Sequence, residues 1–120
     1  MHTLVIAVAL AVLAQNAAAP EPNVLNAKLG GNCSADFVVK DLAGAPVYSA
    51  SIQVRVRYGA LGVKRADLEI GTDGDGKARI EGLPTKAKPM VYTVAKGDRR
   101  TTVEQNVEKT CAASFAVQLK

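Results

Sequence analysis

The segment TDGDGKARIEGLP, residues 72–84, sets Asp73 and Asp75 two positions apart among glycines, with Lys77 and Arg79 just beyond them. Paired carboxylates in a glycine-rich loop can hold calcium, and glycines beside a lysine can cradle phosphate. A helix-loop-helix calcium site starting at Asp73 needs an oxygen ligand fifth, a glycine sixth and a glutamate twelfth. This chain offers Lys77, Ala78 and Pro84 there. GDGK also lacks the longer glycine-framed loop and following helix of a phosphate-binding loop. Two readings remain: weak calcium binding through Asp73 and Asp75, and a corner between strands. The corner is the expectation, with Asp73 accepting backbone N–H groups and Gly76 in the left-handed conformation.

Other residues offer little for catalysis. The chain has one histidine, His2, two cysteines, Cys33 and Cys111, and no tryptophan. If the cysteines pair and His2 leaves with a cleaved signal peptide, neither a Ser-His or Cys-His nucleophile nor a His/Cys metal site can be assembled. Asp67 with Glu69, or Asp73 with Asp75, would lie on outward or turn positions, where carboxylates stay solvated. No catalytic residue, metal ligand or cofactor is therefore expected.

The basic residues are the other candidates. Alternation pushes Arg55 and Arg57 outward on one strand and Lys77 and Arg79 outward on another, with Lys64 and Arg65 in an irregular loop between them. They form either a patch for an anionic ligand or a solvated face neutralised by Asp67, Glu69 and Glu81. Which of the two holds depends on which strands share a sheet. Of the tyrosines, Tyr58 and Tyr92 fall on core-facing parity and only Tyr48 is free for stacking on a sugar. The chain lacks the aromatic-plus-basic strand pattern of nucleic-acid binders, so no nucleic-acid partner is expected.

These side chains need a frame, and the frame starts with export. Residues 4–13 are unbroken apolar, and small residues follow up to Ala19. This reads as a signal peptide over residues 1–19, too short to span a bilayer, so no membrane span is expected after cleavage. Composition rich in Pro, Asn, Ala and Gly over residues 20–32 reads as a flexible linker. Residues 33–120 then form one small domain, exported to a periplasmic or extracellular space where disulfides persist. Cys33 shares parity with Ala35, Phe37 and Val39, and Cys111 with Ala113, Phe115 and Val117. Both sulfurs thus face the core, which predicts a Cys33–Cys111 bond; buried free thiols are the alternative.

The strands follow from the same alternation. SIQVRVRYG puts Ile52, Val54, Val56 and Tyr58 on one face against Gln53, Arg55 and Arg57 on the other. Similar runs surround Phe37, Ile70, Ile80, Tyr92, Val103 and Phe115, separated by turn residues, with no sustained helical spacing. The expectation is all-β: a seven-stranded antiparallel β-sandwich, Ig-like or transthyretin-like. Parity further predicts a hairpin around Gly74-Asp75-Gly76 that sets Ile70 opposite Ile80 and Thr72 opposite Ala78.

VVKDLAGAPVYSASIQVRV, GTDGDGKARIEGLP, MVYTVAKG and SFAVQL together resemble the carboxypeptidase regulatory-like domain, a transthyretin-like module of exported bacterial proteins. The likeness covers nearly all of residues 34–119 and rests on turn residues and core apolars. The loop from Leu61 to Ala66 and the cysteine pair lie outside the usual pattern. The resemblance implies a non-catalytic accessory or interaction module and supplies no family site. The functional expectation is an exported, non-catalytic β-sandwich module with a structural or protein-interaction role, whose partner is an unknown protein or cell-envelope component. The alternative is a binding module for an anionic or glycan ligand of the envelope.

Overall fold

The computed structural model describes residues 22–120; the expected signal peptide lies outside the described residues. Two four-stranded sheets form a β-sandwich. The strands are β1 (Asn23–Asn26), β2 (Cys33–Lys40), β3 (Ser51–Tyr58), β4 (Lys64–Gly71), β5 (Lys77–Leu83), β6 (Met90–Lys96), β7 (Arg99–Gln105) and β8 (Ala112–Gln118). One sheet runs β1-β5-β2-β8 and the other β4-β3-β6-β7.

The fold class is as expected, with two differences of architecture. Among the described residues there are eight strands rather than seven, and the first sheet is mixed, because β1 runs parallel to β5 and β8 runs parallel to β2. The eighth strand is β1, inside the stretch assigned to a flexible linker. Its four residues hold only one partly buried apolar side chain, Leu25, so side-chain alternation barely marks it. Backbone pairing with β5 holds it instead, continued by the Ala27 and Leu29 N–H groups donating to the Glu81 and Gly82 carbonyls.

Alternation does set the faces. In β3, Ile52, Val54 and Val56 are buried while Gln53, Arg55 and Arg57 are exposed. The core between the sheets is filled from both sides by Phe37, Val39, Ile80 and Leu83 against Ile52, Val56, Met90, Tyr92 and Val94. Phe37 stands edge-on to Tyr92 with ring centroids 4.9 Å apart, and stacks on Phe115 at 5.3 Å.

The predicted hairpin between the Ile70 and Ile80 strands does not form. Ile70 pairs with Ile52 in one sheet, and Ile80 pairs with Ala35 in the other. Both face the core, as their parity requires, but they do so from opposite sheets. Parity fixes which side of a strand is buried and says nothing about its neighbour. The glycine-rich corner therefore carries the chain from one sheet across to the other.

Candidate functional site

The corner is built as a self-contained turn. Asp73 Oδ1 accepts N–H groups from Asp75 and Lys77, both at 2.9 Å, and Gly76 N–H donates to the Asp73 carbonyl at 2.9 Å. Gly76 has φ +75°, and a β-carbon there would press on the Val39 carbonyl and on Pro46. Beside it the Thr72 hydroxyl accepts the Ala50 N–H at 2.9 Å and donates to the Val47 carbonyl at 2.6 Å. One carboxylate oxygen of Asp73 is thus occupied by two backbone donors. Among the described residues no three His, Cys, Asp or Glu side chains gather as a metal site.

The cysteines are bonded, with Cα atoms 4.6 Å apart across a separation of 78 residues. Cys33 opens β2 and Cys111 immediately precedes β8, so the bond staples two parallel neighbours where they begin. The Ser34 N–H donates to the Cys111 carbonyl at 2.8 Å alongside it. Cys33 is fully buried and Cys111 partly so.

A polar network that alternation did not single out lies next to this staple. The Tyr92 hydroxyl donates to Gln105 Oε1 at 2.6 Å, and Gln105 Nε2 donates to the carbonyls of Ser34 at 3.1 Å and Thr110 at 2.9 Å. The Tyr92 hydroxyl thus reaches the backbone one step removed, through Gln105. Burial pushes the Tyr92 phenol well above its ordinary value. The signal was present in sequence, since Gln105 shares core parity with Val103 and Thr101.

The predicted basic patch is divided by the topology. Arg55 and Arg57 lie on β3 and Lys77 and Arg79 on β5, strands of different sheets whose outer faces look in opposite directions. Arg79 is engaged locally, its Nη1 on Asp36 Oδ2 at 2.7 Å and its Nε on Glu81 Oε2 at 2.9 Å. Those hydrogen bonds, Glu81 first and then Asp36, push the guanidinium pKa up. Arg55 donates to Asp67 Oδ1 at 2.8 Å, which holds that carboxyl below its usual range. Asp67 and Glu81 neutralise arginines as the solvated-face reading expects, whereas Glu69 accepts the Ser51 hydroxyl at 2.9 Å and Asp36 is a partner that reading did not name.

Arg57 has no such partner among the described residues. It sits at the end of β3 opposite Arg65, with Tyr58 opposite Lys64. Lys64 and Arg65 belong to β4 and not to the loop, which shortens to residues 59–63. The neighbouring 84–89 loop brings Lys86 and Lys88 to the same end, where the Lys88 N–H donates to the Arg57 carbonyl at 3.0 Å. Arg57, Lys64, Lys86 and Lys88 form no ion pair among the described residues. The cations without ion pairs therefore gather at the β3–β4 tip, where Arg57 and Lys64 of the candidate residues stand with Lys86 and Lys88.

No family model matches the chain, and no curated protein matches it either. Solved structures do. Catechol 1,2-dioxygenase from Pseudomonas arvilla C-1 is 12% identical, with a TM-score of 0.57 over 81% of this chain and 56% of that one. The enzyme of the same name from Acinetobacter sp. ADP1 is 13% identical, with a TM-score of 0.55 over 82% and 57%. The Acinetobacter radioresistens enzyme is 14% identical, with a TM-score of 0.55 over 81% and 56%. The chain spans little more than half the length of these structures. At such identity the likeness is one of fold: this chain is a β-sandwich of the kind found within those proteins.

Proposed function

We propose that this chain is an exported, non-catalytic β-sandwich module of the carboxypeptidase regulatory-like kind, with a structural or protein-interaction role. The observation that carries the reading is the employment of its polar side chains. Asp73, Thr72, Arg79, Tyr92 and Gln105 each satisfy a turn, a strand pair or the core, and no buried side-chain nitrogen or oxygen among the described residues lacks a partner. Groups poised for acid-base work sit with shifted pKa values in clefts, whereas Tyr92 is shifted by burial in a packed core. A disulfide suits an oxidising compartment, and no helix among the described residues is long and apolar enough to cross a membrane.

A second reading, an anionic envelope ligand, is favoured by the unpaired cations at the β3–β4 tip. The test is quantitative capture from the envelope fraction of its own cell, with and without digestion of polysaccharide. A defined protein retained in stoichiometric amount after digestion supports the first reading. Retention that disappears on digestion, or that follows lipid alone, removes it and leaves the second. Turnover of any envelope component by the purified protein would overturn both.

A further inference from the structure

The tip between β3 and β4 joins two features that a solvated turn does not need. Leu61 is 92% exposed and Val63 74% exposed, two branched apolar side chains in a three-residue span. Leu61 holds a left-handed backbone at φ 59°, flanked by Gly59 at φ 79° and Gly62 at φ 66°. That conformation is disfavoured for a branched residue, and here it presents the side chain to solvent with no core contact to repay it. Around this tip stand Arg57, Lys64, Arg65, Lys86 and Lys88.

Their charge is nearly uncompensated. Asp67 is held by Arg55 at 2.8 Å and reaches Arg65 only at 4.0 Å. One acid, Glu108, shares the groove that Leu61 forms with Arg57, Lys86 and Lys88. Like charges directly opposite each other, as Arg57 and Arg65 are, disfavour pairing and persist more readily where an external anion neutralises them.

We infer that the β3–β4 tip docks on an anionic phospholipid surface, Leu61 and Val63 entering the headgroup–acyl boundary while the surrounding lysines and arginines contact lipid phosphates. The inference deepens the anionic-ligand reading and rests on it. A soluble polyanion would account for the cations but gains nothing from Leu61, whereas peripheral membrane binding combines buried apolar area with attraction to anionic headgroups. Long basic side chains suit this arrangement, their stems lying along apolar surface while the charges stay at the headgroups.

The chain contains no tryptophan, so Leu61→Trp creates a single reporter at the tip, and Tyr48→Trp, at a position 67% exposed and just before the opposite end of β3, serves as its control. Vesicles of phosphatidylglycerol and phosphatidylcholine in equal parts should shift the Leu61→Trp emission to the blue and leave Tyr48→Trp unmoved. Pure phosphatidylcholine and inorganic phosphate should shift neither, and high salt should reverse the effect. Each of Lys64→Ala, Lys86→Ala and Lys88→Ala in the reporter chain should weaken binding about fivefold, as expected for a basic residue near an anionic membrane. No shift with the anionic vesicles, or an equal shift with neutral ones, overturns the inference. If the protein binds a soluble polyanion through these cations while the Leu61→Trp emission stays fixed in vesicles, the lipid proposal fails and the anionic-ligand reading survives. If neither is bound, both fail.

Discussion

The hydroxyl of Tyr92, on β6, donates to the side-chain carbonyl of Gln105, on β7, at 2.6 Å, and through Gln105 Nε2 the bond continues to the Ser34 carbonyl in the opposite sheet. One buried glutamine therefore links the two sheets beside the disulfide. Removing the hydroxyl leaves a buried amide oxygen without its donor, at a cost of about 1–3 kcal/mol. Tyr92→Phe should lower denaturant stability by that amount, and combination with Gln105→Ala should be non-additive by roughly 0.5–3 kcal/mol. Additive losses would mean that the two residues act separately.

The same tyrosine predicts an alkaline limit. Its phenol titrates near pH ~10 in an unfolded chain but higher in the fold, because burial opposes the charged form. The folded state thus binds the extra proton above pH ~10, and stability, complete below that pH, falls as pH rises, by up to about 1.4 kcal/mol per unit. Stability measured from neutral to alkaline pH should show this slope in the wild type, and Tyr92→Phe should reduce it. An unchanged slope in the variant would place the alkaline loss elsewhere.

Reducing the Cys33–Cys111 bond opens a closed loop spanning 78 residues. The chain-entropy model gives about 4–5 kcal/mol for such a loop, an upper figure if the unfolded chain keeps structure. Because β2 and β8 remain paired along their length, Cys33→Ala/Cys111→Ala should keep the fold while its Tm drops by more than about 10 °C. A Tm unaffected by reductant would contradict this.

At the corner, Gly76→Ala combines a left-handed backbone with a clash against the Val39 carbonyl and should cost about 2–4 kcal/mol by chemical denaturation. Gly74 meets no neighbour, so Gly74→Ala should cost much less. With Asp73 Oδ1 already accepting two backbone donors, calcium at millimolar concentration should leave the melting curve in place. A calcium-dependent rise in Tm would make Asp73 and Asp75 a metal site after all.

What could be read in advance was whatever a side chain declares by its own parity. Ile52, Val54 and Val56 name their buried face, Cys33 and Cys111 name theirs, and Asp73 with Gly76 names a turn. Pairing is a different quantity. Arg79 finds Asp36 across 43 residues, and Ile70 and Ile80 meet the core from opposite sheets. Nothing within either strand encodes that, because alternation is the same whichever neighbour a strand takes. The division of the basic residues follows from pairing, and so the sequence could name Arg55, Arg57, Lys64, Arg65, Lys77 and Arg79 without grouping them, and it passed over Lys86 and Lys88, which a loop brings to Arg57. The strand β1 escaped for a related reason, since backbone bonds to β5 hold it more than its side chains do.

The most direct test of the binding account compares two variants on an immobilised anionic envelope polymer across a salt gradient. Arg57→Ala/Lys64→Ala/Lys86→Ala/Lys88→Ala removes cations that form no ion pair among the described residues, whereas Arg55→Ala/Arg79→Ala removes cations already neutralised by Asp67, Asp36 and Glu81. Exposed charges act over about 8 Å at physiological ionic strength, so retention reports the local cluster more than the net charge. The account predicts that the tip variant elutes at much lower salt than wild type while the paired-arginine variant elutes close to it. Coincident elution of wild type and the tip variant would contradict it.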